Sequence, residues 1–248
     1  MSSKLRVVIT GASSGIGRAA AIELAQGNKL FLTSRRLPEL KGVAGEVEER
    51  GGVAHVGAGD VTLPKNVRRL SEASLDMLGG VDVLFANAGV GYFGPLEEMT
   101  LEEYNSQFET NVRGVFLWIK HLLPHMKAQK SGQIVVTSSN LGMETSARAS
   151  IYSATKHVVQ AMVWCLREEL KGTGVKAATI NPGSVSTSWY DGKDIDRSKM
   201  LTAEDIARVV RYIVEQKRNQ RHRPRIDKAK HFGIASLLQR FLLGFHNM

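Results

Sequence analysis

Six short runs rich in valine and isoleucine recur along the chain: Leu5 to Thr10, Lys29 to Thr33, Val53 to Val56, Val81 to Ala86, Gln133 to Thr137 and Val175 to Ile180. Successive side chains of a strand face opposite sides of its sheet, so a run that is apolar throughout is covered on both faces. Longer helical patterns separate the runs, over Gly15 to Gln26, Pro38 to Glu49, Pro64 to Leu78, Leu101 to Lys127, Ser153 to Lys171 and Thr202 to Gln216. Strands alternating with helices are joined by right-handed parallel crossovers. The pattern predicts an α/β fold, a doubly wound parallel sheet with helices on both faces. Thr202 followed by Asp205 gives the last helix a capping-box-like start.

The chain has 248 residues, and no repeat or linker composition divides the first 216. Residues 1–216 therefore read as one Rossmann-type domain, and 217–248 as a basic extension. Apolar residues make up 43% and charged residues 23%, which excludes collagen-like, disordered and disulfide-framework classes. The single cysteine, Cys165, has no partner for an internal disulfide and reads as a helix-packed thiol in a reducing compartment. No apolar run approaches the roughly 18 to 20 residues of a membrane span, and the chain opens directly into a strand. The expectation is a cytoplasmic protein without a signal peptide. Net charge is +9, which raises the question of nucleic acid, but residues 217–248 carry +7 of it. Only +2 remains for the domain, and no nucleic-acid partner is expected.

After the first strand comes Thr10-Gly11-Ala12-Ser13-Ser14-Gly15-Ile16-Gly17, with a helix starting inside it. A strand, a glycine-rich turn and a helix N-terminus form an anion cradle whose outward N–H groups receive a pyrophosphate. The same turn also serves as a tight connection with no ligand. Of five tyrosines, Tyr152 alone has a lysine four residues on, Lys156. At that spacing both side chains share a helix face, where an ammonium favours ionisation of a phenol whose free pKa is about 10. A solvated surface pair has the same spacing. Ser138 and Ser139 leave the carboxyl end of the fifth strand, where doubly wound sheets place their ligands.

The three-residue gap between the first two glycines, Tyr152 with Lys156, and Ser139 thirteen residues before the tyrosine together resemble the short-chain dehydrogenase/reductase family over roughly residues 5 to 215. The resemblance implies cofactor contacts from Gly11, Ser13, Ser14, Gly15, Ile16 and Gly17, from Asp60 and Val61 at adenine, and from Asn87, Ala88 and Gly89 after the fourth strand. It implies nicotinamide contacts from Pro182, Gly183, Val185 and Thr187, and ribose contact from Tyr152 and Lys156. It assigns catalysis to Asn111, Ser139, Tyr152 and Lys156, with Tyr152 as general acid and base, and selects Ser139 over Ser138. Asn111 would hold a water linking the lysine to solvent. As a poor helix former it implies local irregularity, although a solvent-facing asparagine looks identical in sequence. Thr33-Ser34-Arg35-Arg36 at the end of the second strand contains no acid for ribose hydroxyls and two guanidinium groups for a 2′-phosphate. Ser34, Arg35 and Arg36 therefore predict NADP(H), with Arg36 equally readable as a helix-entry charge.

The implied activity is that of a carbonyl reductase, an oxidoreductase interconverting a small-molecule ketone and a secondary alcohol; a 3-oxoacyl thioester on an acidic carrier protein is one candidate. The alternative is a non-catalytic nucleotide sensor whose basic tail engages a membrane, nucleic acid or a partner. Leu101 to Lys127 and Ser153 to Lys171 resemble the family's dimer-forming helices, so a homodimer or homotetramer is expected. Phe93, Leu141, Met143, Trp189 and Tyr190 follow strand ends and are candidates for an apolar substrate wall. His121 and His125 lack a third ligand, and no metal is expected. The resemblance fails in the tail. Proline within Arg221 to Arg225 argues against a central seventh strand, and Ile234 to Phe245 follows an amphipathic helical pattern. That helix would cover the cleft, join a subunit interface or lie on a membrane.

Overall fold

The computed structural model describes residues 4–216 apart from positions 193 and 195. The chain divides into two units, Met1–Val214 and Glu215–Met248, and the sheet belongs to the first. The basic run and the helical pattern expected of the tail lie outside the described residues.

Six parallel strands, β1 (Arg6–Thr10), β2 (Lys29–Ser34), β3 (Val53–Ala58), β4 (Val83–Ala86), β5 (Gly132–Thr137) and β6 (Val175–Ile180), form one sheet in the order β3-β2-β1-β4-β5-β6. The order reverses direction between β1 and β4, so crossovers go outward both ways and helices cover both faces. The helices are α1 (Gly15–Glu23), α2 (Leu37–Glu49), α3 (Pro64–Leu78), α4 (Leu101–Phe108), α5 (Val115–Ala128), α6 (Ser150–Glu169) and α7 (Ala203–Glu215). One core cluster runs from Val8 and Leu84 of the sheet to Trp118 and Leu122 of α5 and Val159 and Val163 of α6. No helix among the described residues is long and apolar enough to cross a membrane.

The structure departs from the sequence reading at several points, of which the first two bear on the site. The stretch expected as one helix from Leu101 to Lys127 is broken by a π-helical turn, Glu109–Gly114, which contains Asn111. A second sheet of two short parallel strands, β7 (Val185–Ser186) and β8 (Leu201–Thr202), closes the base of the loop after β6. Cys165 is exposed rather than packed. Along α6 the core face is Val159, Val163 and Leu166, and Cys165 falls off that stripe. The expected start of α7 is present, with Thr202 N–H donating to Asp205 at 2.8 Å and Asp205 N–H to Thr202 Oγ1 at 3.1 Å.

Candidate active site

The carboxyl ends of the central strands open into a cleft of about 580 Å³, at the position where the strand order reverses. Gly11, Ser13, Ser14, Gly15 and Ile16 line it from the first turn, and Ser34, Arg35 and Arg36 from the end of β2. Asp60 and Val61 contribute after β3, and Asn87, Ala88 and Gly89 after β4. Ser139, Tyr152 and Lys156 stand beside Pro182, Gly183, Val185 and Thr187.

Gly17 and Asn111 do not line the cleft. A Cβ at Gly17 would lie 2.2 Å from the Gly11 carbonyl oxygen and 2.8 Å from Asn87 Nδ2, so glycine here lets α1 sit against the turn. Asn111 is buried rather than solvent-facing. Its Oδ1 accepts from Val90 N–H at 2.9 Å, and its Nδ2 donates to the Val90 carbonyl at 2.8 Å and to Thr155 Oγ1 at 3.1 Å. The wider π turn presents this side chain to the loop after β4.

At the glycine turn, Ser14 is the N-cap of α1 but forms no side-chain cap. Its hydroxyl instead accepts from Arg36 Nη2 at 2.8 Å, and Ser13 Oγ accepts from the same nitrogen at 2.9 Å. The first-turn N–H groups, a helix N-terminus without an acidic residue, and a guanidinium fixed over two hydroxyls make a donor set suited to phosphates. Arg36 thus bends back over the turn, with Glu39 3.8 Å from its Nε, and both it and Arg35 are exposed. The turn is braced from β4 and β5. Asn87 N–H donates to Thr10 Oγ1 at 2.9 Å, and Asn87 Oδ1 accepts from Thr137 Oγ1 at 3.1 Å. Residue spacing carried no signal for Thr10 and Thr137.

Tyr152 and Lys156 face the cleft from α6, with Lys156 Nζ 5.6 Å from the tyrosine ring centroid and donating to the Thr137 carbonyl at 3.0 Å. Ser138 Oγ donates to the Lys156 carbonyl at 3.1 Å and is committed to the helix backbone. Ser139 Oγ accepts from Leu141 N–H at 3.2 Å and hydrogen-bonds Tyr152. Burial pushes the Tyr152 phenol up to about 12, against the pull of the Ser139 hydrogen bond and with a further push from Tyr190. Burial also pushes Lys156 down to about 8. The sequence expectation of a phenol made acidic by the lysine is corrected here: in the protein without cofactor desolvation dominates, and the pull that opposes it comes from the Ser139 hydrogen bond. Phe93, Leu141, Trp189 and Tyr190 line the cleft as expected of a wall, whereas Met143 does not line it and is exposed.

The profile of the family described as short chain dehydrogenase matches residues 5–197. An uncharacterised oxidoreductase of Listeria innocua is 34% identical over 223 residues, covering 85% of this chain and 90% of its own. Among solved structures, an alcohol dehydrogenase from the archaeon Thermococcus sibiricus, complexed with 5-hydroxy-NADP, superposes with a TM-score of 0.80 at 33% identity, covering 86% of this chain and 91% of that one. A short chain dehydrogenase/reductase from Burkholderia phymatum in complex with NAD gives 0.81 at 28% identity, covering 87% of each chain.

Proposed function

The chain belongs to the short-chain dehydrogenase/reductase family and is an oxidoreductase, and on that premise we propose that it interconverts a ketone and a secondary alcohol with NADP(H), using Tyr152 as the proton donor and acceptor. The observation that carries this reading is the meeting of the Tyr152 phenol, the Ser139 hydroxyl and the Lys156 ammonium at one wall of the cleft.

The donor set at the glycine turn fits a dinucleotide phosphate. The N–H groups from Ser14 to Gly17 would hold the pyrophosphate, and Arg35 and Arg36 a 2′-phosphate. Support for the phosphorylated cofactor is the absence of an acid at the end of β2 and the placement of Arg36 across Ser13 and Ser14. Asp60 and Val61 would meet adenine. Asn87 to Gly89 and Pro182 to Thr187 would flank the nicotinamide end. NADPH, when bound, supplies a hydride for the carbonyl carbon.

A phenol at about 12 is protonated at neutral pH, which suits Tyr152 to give its proton to a carbonyl oxygen that is gaining negative charge. Ser139 orients that oxygen by donating to it, an interaction that strengthens as the charge grows. Lys156 stabilises the phenolate left behind. Asn111 acts from outside the cleft by fixing Val90 beside Gly89. A nucleotide sensor without chemistry needs neither a buried ammonium nor a phenol beside it, and burying such a charge is costly. The cleft has the size of a small-molecule site.

The test is a reductase screen of diverse ketones with both cofactors, followed at 340 nm. Turnover with NADPH, its near-complete loss in Tyr152→Phe and retention of NADPH binding in that variant are expected. Full activity of Tyr152→Phe refutes the mechanism, and tighter saturation by NADH refutes the cofactor.

A further inference from the structure

We propose that the substrate end of the cleft is an aromatic cage for a neutral, compact carbonyl compound with a ring or other apolar body, and that Gly91 and Trp189 set its size. The proposal rests on the carbonyl-reductase reading above and names its substrate class. The Phe93 ring centroid lies 5.1 Å from that of Tyr152, and Trp189 stands edge-on to the same tyrosine at 6.1 Å. Both separations lie within the range of packed aromatic pairs. A Cβ at Gly91 would lie 2.5 Å from Trp189 Cζ2, 2.9 Å from Tyr152 Cδ2 and 3.1 Å from Phe93 Cε2. Three rings therefore converge on bare main chain, and any side chain at Gly91 displaces at least one of them.

The loop that carries Gly91 and Phe93 is fixed from behind. Asn111 binds both main-chain groups of Val90, and Gln107, four residues earlier and fully buried, accepts from Tyr92 N–H at 3.2 Å. The cage is thus held in shape by two buried amides, which lowers the cost of ordering it around a ligand.

Charge sorts the two ends of the cleft. The charged side chains among its described lining residues are Arg35, Arg36, Asp60 and Lys156. The first three follow β2 and β3, at the glycine-turn end, and the Lys156 ammonium is already bound to the Thr137 carbonyl. A carboxylate brought beside Phe93, Leu141 and Trp189 would lose water and, apart from Lys156, meet only neutral donors such as Asn140 and Tyr190 among the described lining residues. A neutral apolar body loses nothing there, and flat rings gain stacking area.

The experiment uses the full chain and compares ring ketones (cyclohexanone, acetophenone) with acetoacetate as substrates. In parallel, calorimetry measures binding of 1-phenylethanol and 3-hydroxybutyrate to the protein with NADP+. The expected result is a kcat/KM for the ring ketones at least about tenfold above that for acetoacetate. Trp189→Ala should raise their KM by roughly tenfold while kcat changes less, with Trp189→Phe restoring most of the loss. Gly91→Ala should lower kcat/KM for acetophenone more than for cyclohexanone. Equal or better turnover of acetoacetate, or an unchanged KM in Trp189→Ala, overturns the cage and leaves the reductase reading intact. If no ketone is reduced but 1-phenylethanol binds and Trp189→Ala abolishes binding, the cage stands and the reductase reading falls. Absence of both turnover and binding overturns the cage as well.

Discussion

Lys156→Met should make the protein more stable and leave it without turnover. Burial holds the Lys156 pKa at about 8 against the ordinary 10.5. At about 1.36 kcal/mol per pH step, that gap puts the cost of keeping the ammonium inside the fold at roughly 3 kcal/mol. Methionine keeps an unbranched stem without the charge, so this cost disappears. The lost hydrogen bond to the Thr137 carbonyl offsets about 1–2 kcal/mol of it. A net gain of about 1–2 kcal/mol corresponds to roughly 2–8 °C in Tm for a domain of this size. The difference has a pH signature. Below pH 8 the folded and unfolded chains both hold the proton, and the unmodified protein bears the whole cost. Between about 8 and 10.5 the unfolded chain binds more protons than the folded one, so the stability of the unmodified protein rises with pH. The advantage of methionine must therefore be largest below pH 8 and fade toward 10.5. Tyr152, at about 12, stays protonated throughout that window. Urea unfolding of both proteins without cofactor, followed by circular dichroism at about pH 6.5 and about pH 10, reads the difference directly. A variant less stable at the lower pH, or a difference that does not move with pH, refutes the reasoning.

Arg36→Ala removes the guanidinium that binds Ser13 and Ser14; NADPH affinity should fall about 10- to 100-fold while NADH affinity changes little, as measured by fluorescence titration. Gln107→Leu leaves Tyr92 N–H without its acceptor; a loss of about 1–3 kcal/mol in urea unfolding is expected, with a raised KM for ring ketones and an unchanged NADPH dissociation constant. Gly17→Ala places a methyl 2.2 Å from the Gly11 carbonyl oxygen; α1 must move, and both Tm and NADPH affinity should drop, whereas an unaltered Tm contradicts the packing described here.

The parts of the fold that were legible in sequence are those in which burial writes a period. Val175–Ile180 and Pro64–Leu78 have the ends that their patterns predict: the strand lies between Gly174 and Asn181, and the helix between a proline in its first turn and Gly79 as its left-handed cap. The fourth strand starts at Val83, not at Val81; just before it, Asp82 still bonds both neighbours through its backbone, its N–H donating to the Arg6 carbonyl and its carbonyl accepting from Gln133 N–H, each at 2.8 Å, while its carboxylate holds Arg6 Nε at 2.9 Å. The π turn at Glu109–Gly114 falls where Asn111, a poor helix former, implied local irregularity; the helical character on either side hides only its form, an extra residue per turn. Two-residue strands such as Val185–Ser186 are too short to carry any period. In the site, residues on strand ends and glycine turns were readable because their chemistry is tied to position in the fold. Gln107 was not, since a buried glutamine in a helix has the same letter as a solvated one.

Tyr152 and Lys156 show most clearly what spacing leaves out. Spacing places a cation next to a phenol and so predicts an acidic phenol. The structure adds desolvation, which acts on both groups and in opposite directions on the pKa scale, raising one to about 12 and lowering the other to about 8. Each shift favours the uncharged form, so at rest the site holds a neutral phenol. Under the proposed mechanism this biases the resting protein toward proton donation, and hence toward reduction. Alcohol oxidation begins from phenolate, and reaching it near neutral pH requires positive charge beyond that of Lys156. The rate of oxidation should consequently climb with pH over a range in which the rate of reduction is level or falling. Because each reduction consumes a proton, the ratio of the two directions shifts with pH whatever the tyrosine does, so the phenol itself is read. Ultraviolet difference titration of the protein against Tyr152→Phe, without cofactor, should place the Tyr152 midpoint above the ordinary value of about 10, and a midpoint below it would remove desolvation as the term that sets the direction.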